Sequence, residues 1–344
     1  MHSKRQPPIN YKVQKISEIP TDKLSDFYKK TYFQRHKSLT ENWRWWYRVG
    51  IIDKEPIIIT VDEKVIGQAA FLPTKLNILK KIIPAIWFVD YAILPEYMGK
   101  GLGQVLYKEW KNVCPNQMAI CSDYSLRVLK KFDWKENLET KRIIKTINIS
   151  KIIPLNQNIR LKFFDNISKY YIKKKYYRLK SIIPHKITNE FNVIKESFLL
   201  KKNTINKNYA EILRDNEWLY WRLMECPYKK DIYFFEYKNN FAIVHILLTN
   251  NIKKLNILYM YSTEETNFNE LTIQILNWSV QNNIDVMWAI NRDDNLKDIF
   301  PKILNKSVQY AAWSSNQEIF DILSKGLLDL QGIDTDIDSS LYVE

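Results

Sequence analysis

The segment Asp90-Tyr91-Ala92-Ile93-Leu94-Pro95-Glu96-Tyr97-Met98-Gly99-Lys100-Gly101-Leu102-Gly103 places three of the chain's seven glycines within five residues. It begins as an apolar strand, expected over 86–94. It ends where Leu102, Val105, Leu106, Trp110 and Val113 recur at helical spacing. Glycines at a strand-to-helix junction let consecutive backbone N–H groups converge at the positive end of the helix, where a phosphate or pyrophosphate is held. The run is not a Walker A loop, because no GxxxxGKS or GxxxxGKT is present. Nor is it a dinucleotide fingerprint, because Gly101-Leu102-Gly103-Gln104-Val105-Leu106 lacks the third glycine. An anion cradle between strand and helix calls for an α/β fold.

Working outward, the segment lies inside a repeat. Glu41-Asn42-Trp43-Arg44-Trp45-Trp46-Tyr47-Arg48 is echoed by Asn216-Glu217-Trp218-Leu219-Tyr220-Trp221-Arg222. Each Trp-rich stretch precedes a strand pair, 56–61 with 64–72 and 231–237 with 241–248. Each pair is followed by an apolar strand (86–94, 255–261), an amphipathic helix (102–113, 269–281), a short strand (118–120, 287–290) and a further helix. This order predicts two copies of one mixed-sheet α/β unit, an N-terminal domain over 1–148 and a C-terminal domain over 206–344, joined by a linker over 149–205. Where the first copy has its glycines, the second has Glu264-Glu265-Thr266-Asn267-Phe268, which cannot form a cradle.

Composition excludes several classes. At 344 residues, 46% hydrophobic and 26% charged, the chain is globular and long enough for two domains. Its apolar runs fall far short of the ~18 residues that a membrane span needs. Cys114, Cys121 and Cys226 lack CxxC spacing and read as free thiols, and residues 1–6 are polar with no apolar leader, so the expectation is a soluble, cytoplasmic protein. His36, His185 and His245 stand apart from any Cys or carboxylate pattern, so no metal site is expected. The net charge of +14 is concentrated: residues 145–205 hold fourteen Lys and Arg against Asp165, Glu190 and Glu196, or +11. The run Lys173-Lys174-Lys175-Tyr176-Tyr177-Arg178-Leu179-Lys180 reads as a solvated linker face, with contact to phosphates or a membrane surface as the rival reading.

The segment 90–103 resembles the acyl-CoA signature of the GNAT N-acetyltransferase superfamily, in which a splayed strand leads to an R/Q-x-x-G-x-G/A loop. Met98 stands where the family usually has Arg or Gln. The segment Cys121-Ser122-Asp123-Tyr124-Ser125-Leu126-Arg127-Val128-Leu129-Lys130-Lys131-Phe132-Asp133-Trp134 looks like the family's next strand and helix, with Leu129 at the position of its usual acid Tyr and Tyr124 as a substitute candidate. The resemblance implies two tandem GNAT-like domains, the second lacking the CoA loop, with acyl-CoA as co-substrate. Pantetheine would pair with the backbone of Ala92, Ile93 and Leu94, and the pyrophosphate would lie on Gly99, Lys100, Gly101, Leu102, Gly103 and Gln104. Ser122 and Ser125 would flank the arm. Asp90 is polar within an apolar strand, so it either serves the amine in catalysis or anchors a loop.

Signals for the acceptor are weaker. Trp43, Trp46, Trp218 and Trp221 have the spacing of core aromatics. Trp46 with Arg48 and Trp221 with Arg222 have the alternative of stacking a base and holding a diphosphate. Arg222 belongs to a W-R-x-x-x-x-P-Y pattern, Trp221 to Tyr228, associated with GNAT-like proteins of surface-polysaccharide synthesis. Gly332-Ile333-Asp334-Thr335-Asp336-Ile337-Asp338 is either a frayed acidic tail or a segment that brings Asp334 and Asp336 to a cationic amine. The resemblance therefore implies an N-acyltransferase acting by direct attack on a nucleotide-linked amino sugar such as a dTDP-3-amino-3,6-dideoxyhexose, for O-antigen or capsule synthesis, with no nucleic-acid partner. The alternatives are a FemABX-like aminoacyl-tRNA or peptide-amine transferase, and a non-catalytic polyanion-binding protein on the same scaffold.

Overall fold

The computed structural model describes residues 10–50, 53–137, 141–148, 166, 170, 183–186, 189–202, 210–262, 265–291, 306–325 and 328–334. In the N-terminal half, β1 (Lys12–Lys15), helices α1 (Thr21–Thr31) and α2 (His36–Trp46), β2 (Ile57–Val61), β3 (Lys64–Ile78) and β4 (Lys81–Ile93) come first. Helix α3 (Leu102–Lys111), β5 (Asn116–Ile120), α4 (Asp123–Lys130), β6 (Lys135–Asn137) and β7 (Lys141–Thr146) come next. The C-terminal half begins with β8 (His185–Lys186), α5 (Phe191–Lys202), β9 (Ala210–Ile212) and α6 (Asn216–Leu219), which runs into a π turn over Tyr220–Met224. It continues with β10 (Ile232–Tyr237), β11 (Asn240–Thr249), β12 (Ile252–Tyr261), α7 (Glu265–Gln281), β13 (Val286–Asn291), β14 (Lys306–Ser307), β15 (Tyr310–Ser314), α8 (Gln317–Ser324), β16 (Leu328–Asp329) and a 3-10 turn over Gly332–Asp334.

The β3–β4 hairpin reaches further than the apolar pattern predicts. Leu79 and Lys80, both at positive φ (51° and 65°), turn the chain in two residues, and the ladder runs from Ile78↔Lys81 to Gly67↔Ile93. Two residues at positive φ match the right-handed twist of paired strands.

The sheet orders show what the repeat conceals. One sheet runs β1-β2-β3-β4-β5-β15-β6 with β9 and β16 alongside; the other runs β14-β7-β13-β12-β11-β10-β8. Strand β15 from the C-terminal half lies between β5 and β6, with Ala311 opposite Ala119 and Glu136. Reciprocally, β7 lies between β14 and β13, with Ile143 opposite Ala289. A boundary near residue 148 therefore falls after a strand that belongs to the second sheet. Apolar alternation specifies that a strand exists, not which edge it joins. Each half completes the other's sheet.

The Trp-rich helices meet at the junction of the halves. Trp45 stacks on Trp221 with ring centroids 5.6 Å apart, and each indole N–H donates to the other residue's carbonyl, at 3.0 and 2.9 Å. Trp43, Trp46, Trp218 and Trp221 are all buried, as core spacing predicts. Satisfying each indole N–H removes the main penalty of burying the ring. One continuous apolar core spans this junction, and a second lies under α7 on the C-terminal sheet.

Candidate functional site

Strands β4 and β5 are paired in parallel at Ile86↔Gln117, Trp87↔Met118 and Phe88↔Ala119, and then diverge. The divergence coincides with a bulge. Ala70 faces Val89 and Ala69 faces Tyr91, leaving Asp90 as the extra residue, held at φ 45°. An extra residue bends its strand and redirects the residues beyond it. Past the bulge, Leu94 donates its N–H to Ile66 O at 2.8 Å. Strand alternation then turns Ala92 and Leu94 toward β3, and Tyr91 and Ile93 toward the open edge. Of the residues expected to pair with pantetheine, Ile93 keeps that geometry. Ala92 and Leu94 do not, because their polar groups face the neighbouring strand, and Tyr91 joins Ile93 at the edge.

The glycine run has divided roles. Gly99 (φ 75°) and Gly101 (φ 81°) occupy the left-handed region, and no described atom lies within 4 Å of where a Cβ would stand on either. Gly101 caps α3 with no side-chain hydrogen bond, so the first N–H groups of the helix point outward without an intrahelical acceptor. Leu102 is buried and contributes only backbone, while Lys100 sits 5.1 Å over the Tyr97 ring. Gln104 donates its N–H to Gly101 O at 3.0 Å, which tightens the turn and removes that amide from the anion set. Gly103 is closely packed: a Cβ there would stand 2.9 Å from the Tyr91 hydroxyl, which donates to Gly103 O at 2.9 Å and would have to turn aside. Burial pushes that hydroxyl's pKa up to about 12, with Tyr124 adding to the effect, so it stays a donor. The open glycine backbone and uncapped helix end fit a pyrophosphate.

On the opposite lip, Ser122 caps α4, its Oγ accepting the N–H of Ser125 at 3.2 Å with the two hydroxyls 2.9 Å apart. Both serines are exposed beside the cleft, as is Tyr124, whereas Leu129 is in the core. The thiol of Cys121, pushed up to about 12 mainly by burial and further by Glu136, is no nucleophile at neutral pH.

Asp90 closes the inner end of this cleft. Its Oδ1 accepts from Arg35 Nη1 at 2.8 Å; its Oδ2 accepts from Arg35 Nη2 at 3.3 Å and from the Tyr47 hydroxyl at 3.0 Å. Behind it, Gln68 donates to the Tyr47 hydroxyl at 3.0 Å and accepts from the Tyr28 hydroxyl at 3.1 Å. Burial, reinforced by the Asp90 charge, raises the pKa of both tyrosines, which keeps the chain of donors protonated. Arg35, at the start of α2, thereby ties the α1–α2 connection to the bulge. Arg35, Tyr47, Gln68 and Tyr28 were not among the expected site residues. Gln68 carried the same signal as Asp90, a polar side chain in an apolar strand, whereas Arg35 carried none.

A cavity of about 10 Å³ lies against this network, walled by Asp90, Arg35, Tyr47, Trp45, Trp46, Leu72, Val89, Trp221 and Arg222. The structure thus brings together Asp90, Trp46, Trp221 and Arg222 from both halves. Arg48 is not with them. Its guanidinium donates to Pro73 O at 3.0 Å and Glu217 at 3.2 Å and lies 4.8 Å over Trp221, with burial lowering its pKa against the pull of Glu217. A cation so engaged fastens the halves rather than holding a diphosphate. Asp334 is also absent from the cavity: it is buried, and accepts from Arg214 Nε at 2.8 Å and from Gln331 N at 2.9 Å. The segment is therefore no frayed tail as far as Asp334, and its carboxylate pairs with an arginine rather than meeting an amine. Asp336 and the run 173–180 lie outside the described residues.

A wider groove of about 300 Å³ between α1 and the β2–β3 turn is lined by Lys23, Asp26, Lys30 and Glu63, with Lys23 paired to Glu63 at 2.8 Å. It is remote from the bulge in character, being a surface of mutually neutralising charges. Among the described residues, no group of three or more His, Cys, Asp or Glu could hold a metal ion, and no helix is long and apolar enough to cross a membrane.

No protein-family model and no curated protein matches the sequence. Known structures match most of it. A conserved Enterococcus faecalis V583 protein, described as a probable N-acyltransferase, has a TM-score of 0.57 at 14% identity, with 90% of this chain and 74% of that chain covered. A GCN5-related N-acetyltransferase from Kribbella flavida gives 0.59 at 9% identity, with 88% and 71% covered. Saccharomyces cerevisiae N-myristoyltransferase with bound myristoyl-CoA gives 0.58 at 12% identity, with 91% and 81% covered. The chain has this fold, a mixed α/β architecture of two tandem GNAT-like halves.

Proposed function

We propose that this GNAT-fold chain is a CoA-dependent N-acyltransferase that delivers an acyl group to a primary amine entering beside Asp90, and that the amine belongs to a nucleotide-linked amino sugar, such as a dTDP-3-amino-3,6-dideoxyhexose. The observation that carries the donor half of the reading is the coincidence of the open Gly99–Gly103 turn with the diverging β4 and β5. One groove thereby offers both an anion cradle and strand edges suited to an extended amide chain. Gly99, Gly101 and the first amides of α3 would hold the pyrophosphate, and Ile93 and Tyr91 the pantetheine amides. The backbone N–H of Tyr91 or Ile93 is suited to stabilise the oxyanion that forms when the amine attacks the thioester carbon, before thiolate departs. Attack is direct, within a ternary complex.

Asp90 acts at the amine side. Its Oδ1 receives one hydrogen bond and Oδ2 two, so Oδ1 retains an acceptor site beside the cavity that can take the proton an entering ammonium must lose before it attacks, while the second proton passes from the acylated nitrogen to the departing thiolate. A cavity of about 10 Å³ admits a single water or an amine head and no more. The sugar portion of the reading is supported by the W-R-x-x-x-x-P-Y resemblance, Trp221 to Tyr228, with the sugar lying outside a cavity that takes only its amine.

The test is mass spectrometry of the protein incubated with pooled short acyl-CoAs and pooled dTDP- and UDP-amino sugars. An acylated nucleotide sugar is the expected product. CoA binding without a sugar product would move the acceptor to peptide or other amines; absence of CoA binding would overturn the acyltransferase reading.

A further inference from the structure

The C-terminal sheet has a cleft of its own. Strands β12 and β13 are paired in parallel up to Ile257↔Ala289, and a register shift between Ile243 and Val244 leaves Leu258 as the extra residue in β12. Met260 stands three residues past the last parallel pair, as Tyr91 stands three past Phe88↔Ala119. Its N–H and C=O point away from β11, because both are bound by one side chain: Met260 N donates to Gln331 Oε1 at 2.8 Å, and Gln331 Nε2 donates to Met260 O at 3.3 Å. A primary amide bridging the N–H and C=O of one residue supplies what an added strand would supply. Next to it, Gly332 approaches so closely that a Cβ would stand 3.2 Å from Ile257 O and 3.4 Å from Leu258 Cα.

We infer that residues 331–334 are a built-in occupant of the second cleft, standing where the first cleft would take an extended amide-bearing ligand, and that they position Arg222 at the wall of the acceptor cavity. This inference rests on the acyltransferase reading for its kinetic consequence, though not for its structural one. The segment is locked at its far end by Asp334, buried against Arg214, and folded on itself by Asp334 N donating to Gln331 O at 3.0 Å. Between the two anchors, Ile333 O accepts from Arg222 Nε at 3.0 Å, while Arg222 Nη1 donates to the Tyr228 hydroxyl. Arg222 reaches the cavity beside Asp90 from that support. The C-terminal half has thus exchanged a cofactor groove for a rigid backing of the acceptor wall. Gln331 and Ile333 are positioning residues that act through Arg222.

Three measurements on the full chain decide it. Isothermal titration with CoA should give one site per chain, and two sites would overturn the inference. Hydrogen exchange should show the Met260 amide protected, and Gln331→Met should speed its exchange about tenfold, the loss of roughly one hydrogen bond. Unchanged exchange would overturn it. With whichever amine the sugar panel identifies, Gln331→Met should raise KM for the amine severalfold while leaving KM for acetyl-CoA alone; the reverse pattern would overturn it. Gly332→Ala, which crowds the backbone of Ile257 and Leu258 without removing a polar partner, should speed Met260 exchange and raise KM for the amine in the same direction, though less, should Gln331→Met fold poorly. A chain that binds no CoA but shows the Met260 effect would sink the acyltransferase reading and leave the occupied second cleft standing.

Discussion

The cleft between β4 and β5 and the cleft between β12 and β13 are built by the same divergence of parallel strands past a bulge, yet among the described residues one is open and the other filled. At the first, no described atom beyond the chain neighbours lies within 4 Å of where a Cβ would stand on Gly99 or Gly101. At the second, Gln331 and Gly332 lie against Met260, Ile257 and Leu258. A fold that splays two strands leaves unpaired backbone groups, and these must find a partner. Among the described residues, the N-terminal half leaves the Tyr91–Ile93 edge open, whereas the C-terminal half meets the Met260 edge with its own chain.

The comparison can be broken most forcefully at the lock on the filled cleft. Asp334→Ala strands the buried Arg214 and should destabilise the protein by about 3–5 kcal/mol in chemical denaturation. The paired change Arg214→Met with Asp334→Leu should cost far less. An exposed-like loss below about 1 kcal/mol for Asp334→Ala would mean that the segment is not locked. In the cleft between β4 and β5, Gly101→Val should leave the fold intact while the left-handed position costs about 1–2 kcal/mol. CoA affinity should then fall by about tenfold or more, measured by titration. At the junction, Trp45→Phe and Trp221→Phe each remove one indole hydrogen bond and should each lower stability by about 1 kcal/mol. Unequal losses would show that the two halves do not share the junction evenly. The smallest expected effect lies again in the cleft between β4 and β5, where Gly103→Ala should cost no more than about 1 kcal/mol, the loss of the Tyr91–Gly103 hydrogen bond being partly offset by the better helix propensity of Ala. Combining it with Tyr91→Phe should cost less than the two single losses together, since the two share one contact and a double-mutant cycle reads the coupling.

Much of the cleft between β4 and β5 was legible in the sequence because its elements are local. Three glycines within five residues, a helix at 3.6-residue spacing and a lone Asp in an apolar strand all declare themselves within a short window. The bulge gives Asp90 its setting, but its partners come from elsewhere: Arg35 lies 55 positions away and Tyr47 43. No local pattern marks a guanidinium that will reach a distant carboxylate. The same reason explains Arg48 and Asp334. Residue type suggested phosphate and amine ligands, but burial against Glu217 and Arg214 supplied internal partners first.

The sequence by itself determined the tandem arrangement, the mixed-sheet class and the position of the glycine-rich turn before α3, since each depends on residue type and spacing along the chain. Only the tertiary structure decided that β7 and β15 cross between sheets, that Tyr91 and Ile93 turn away from β3, and that Gln331 bonds the edge of β12 at Met260. Strand edges are interchangeable donors and acceptors, so packing of the whole molecule decides which edge a strand meets, and whether a ligand or the chain itself satisfies it.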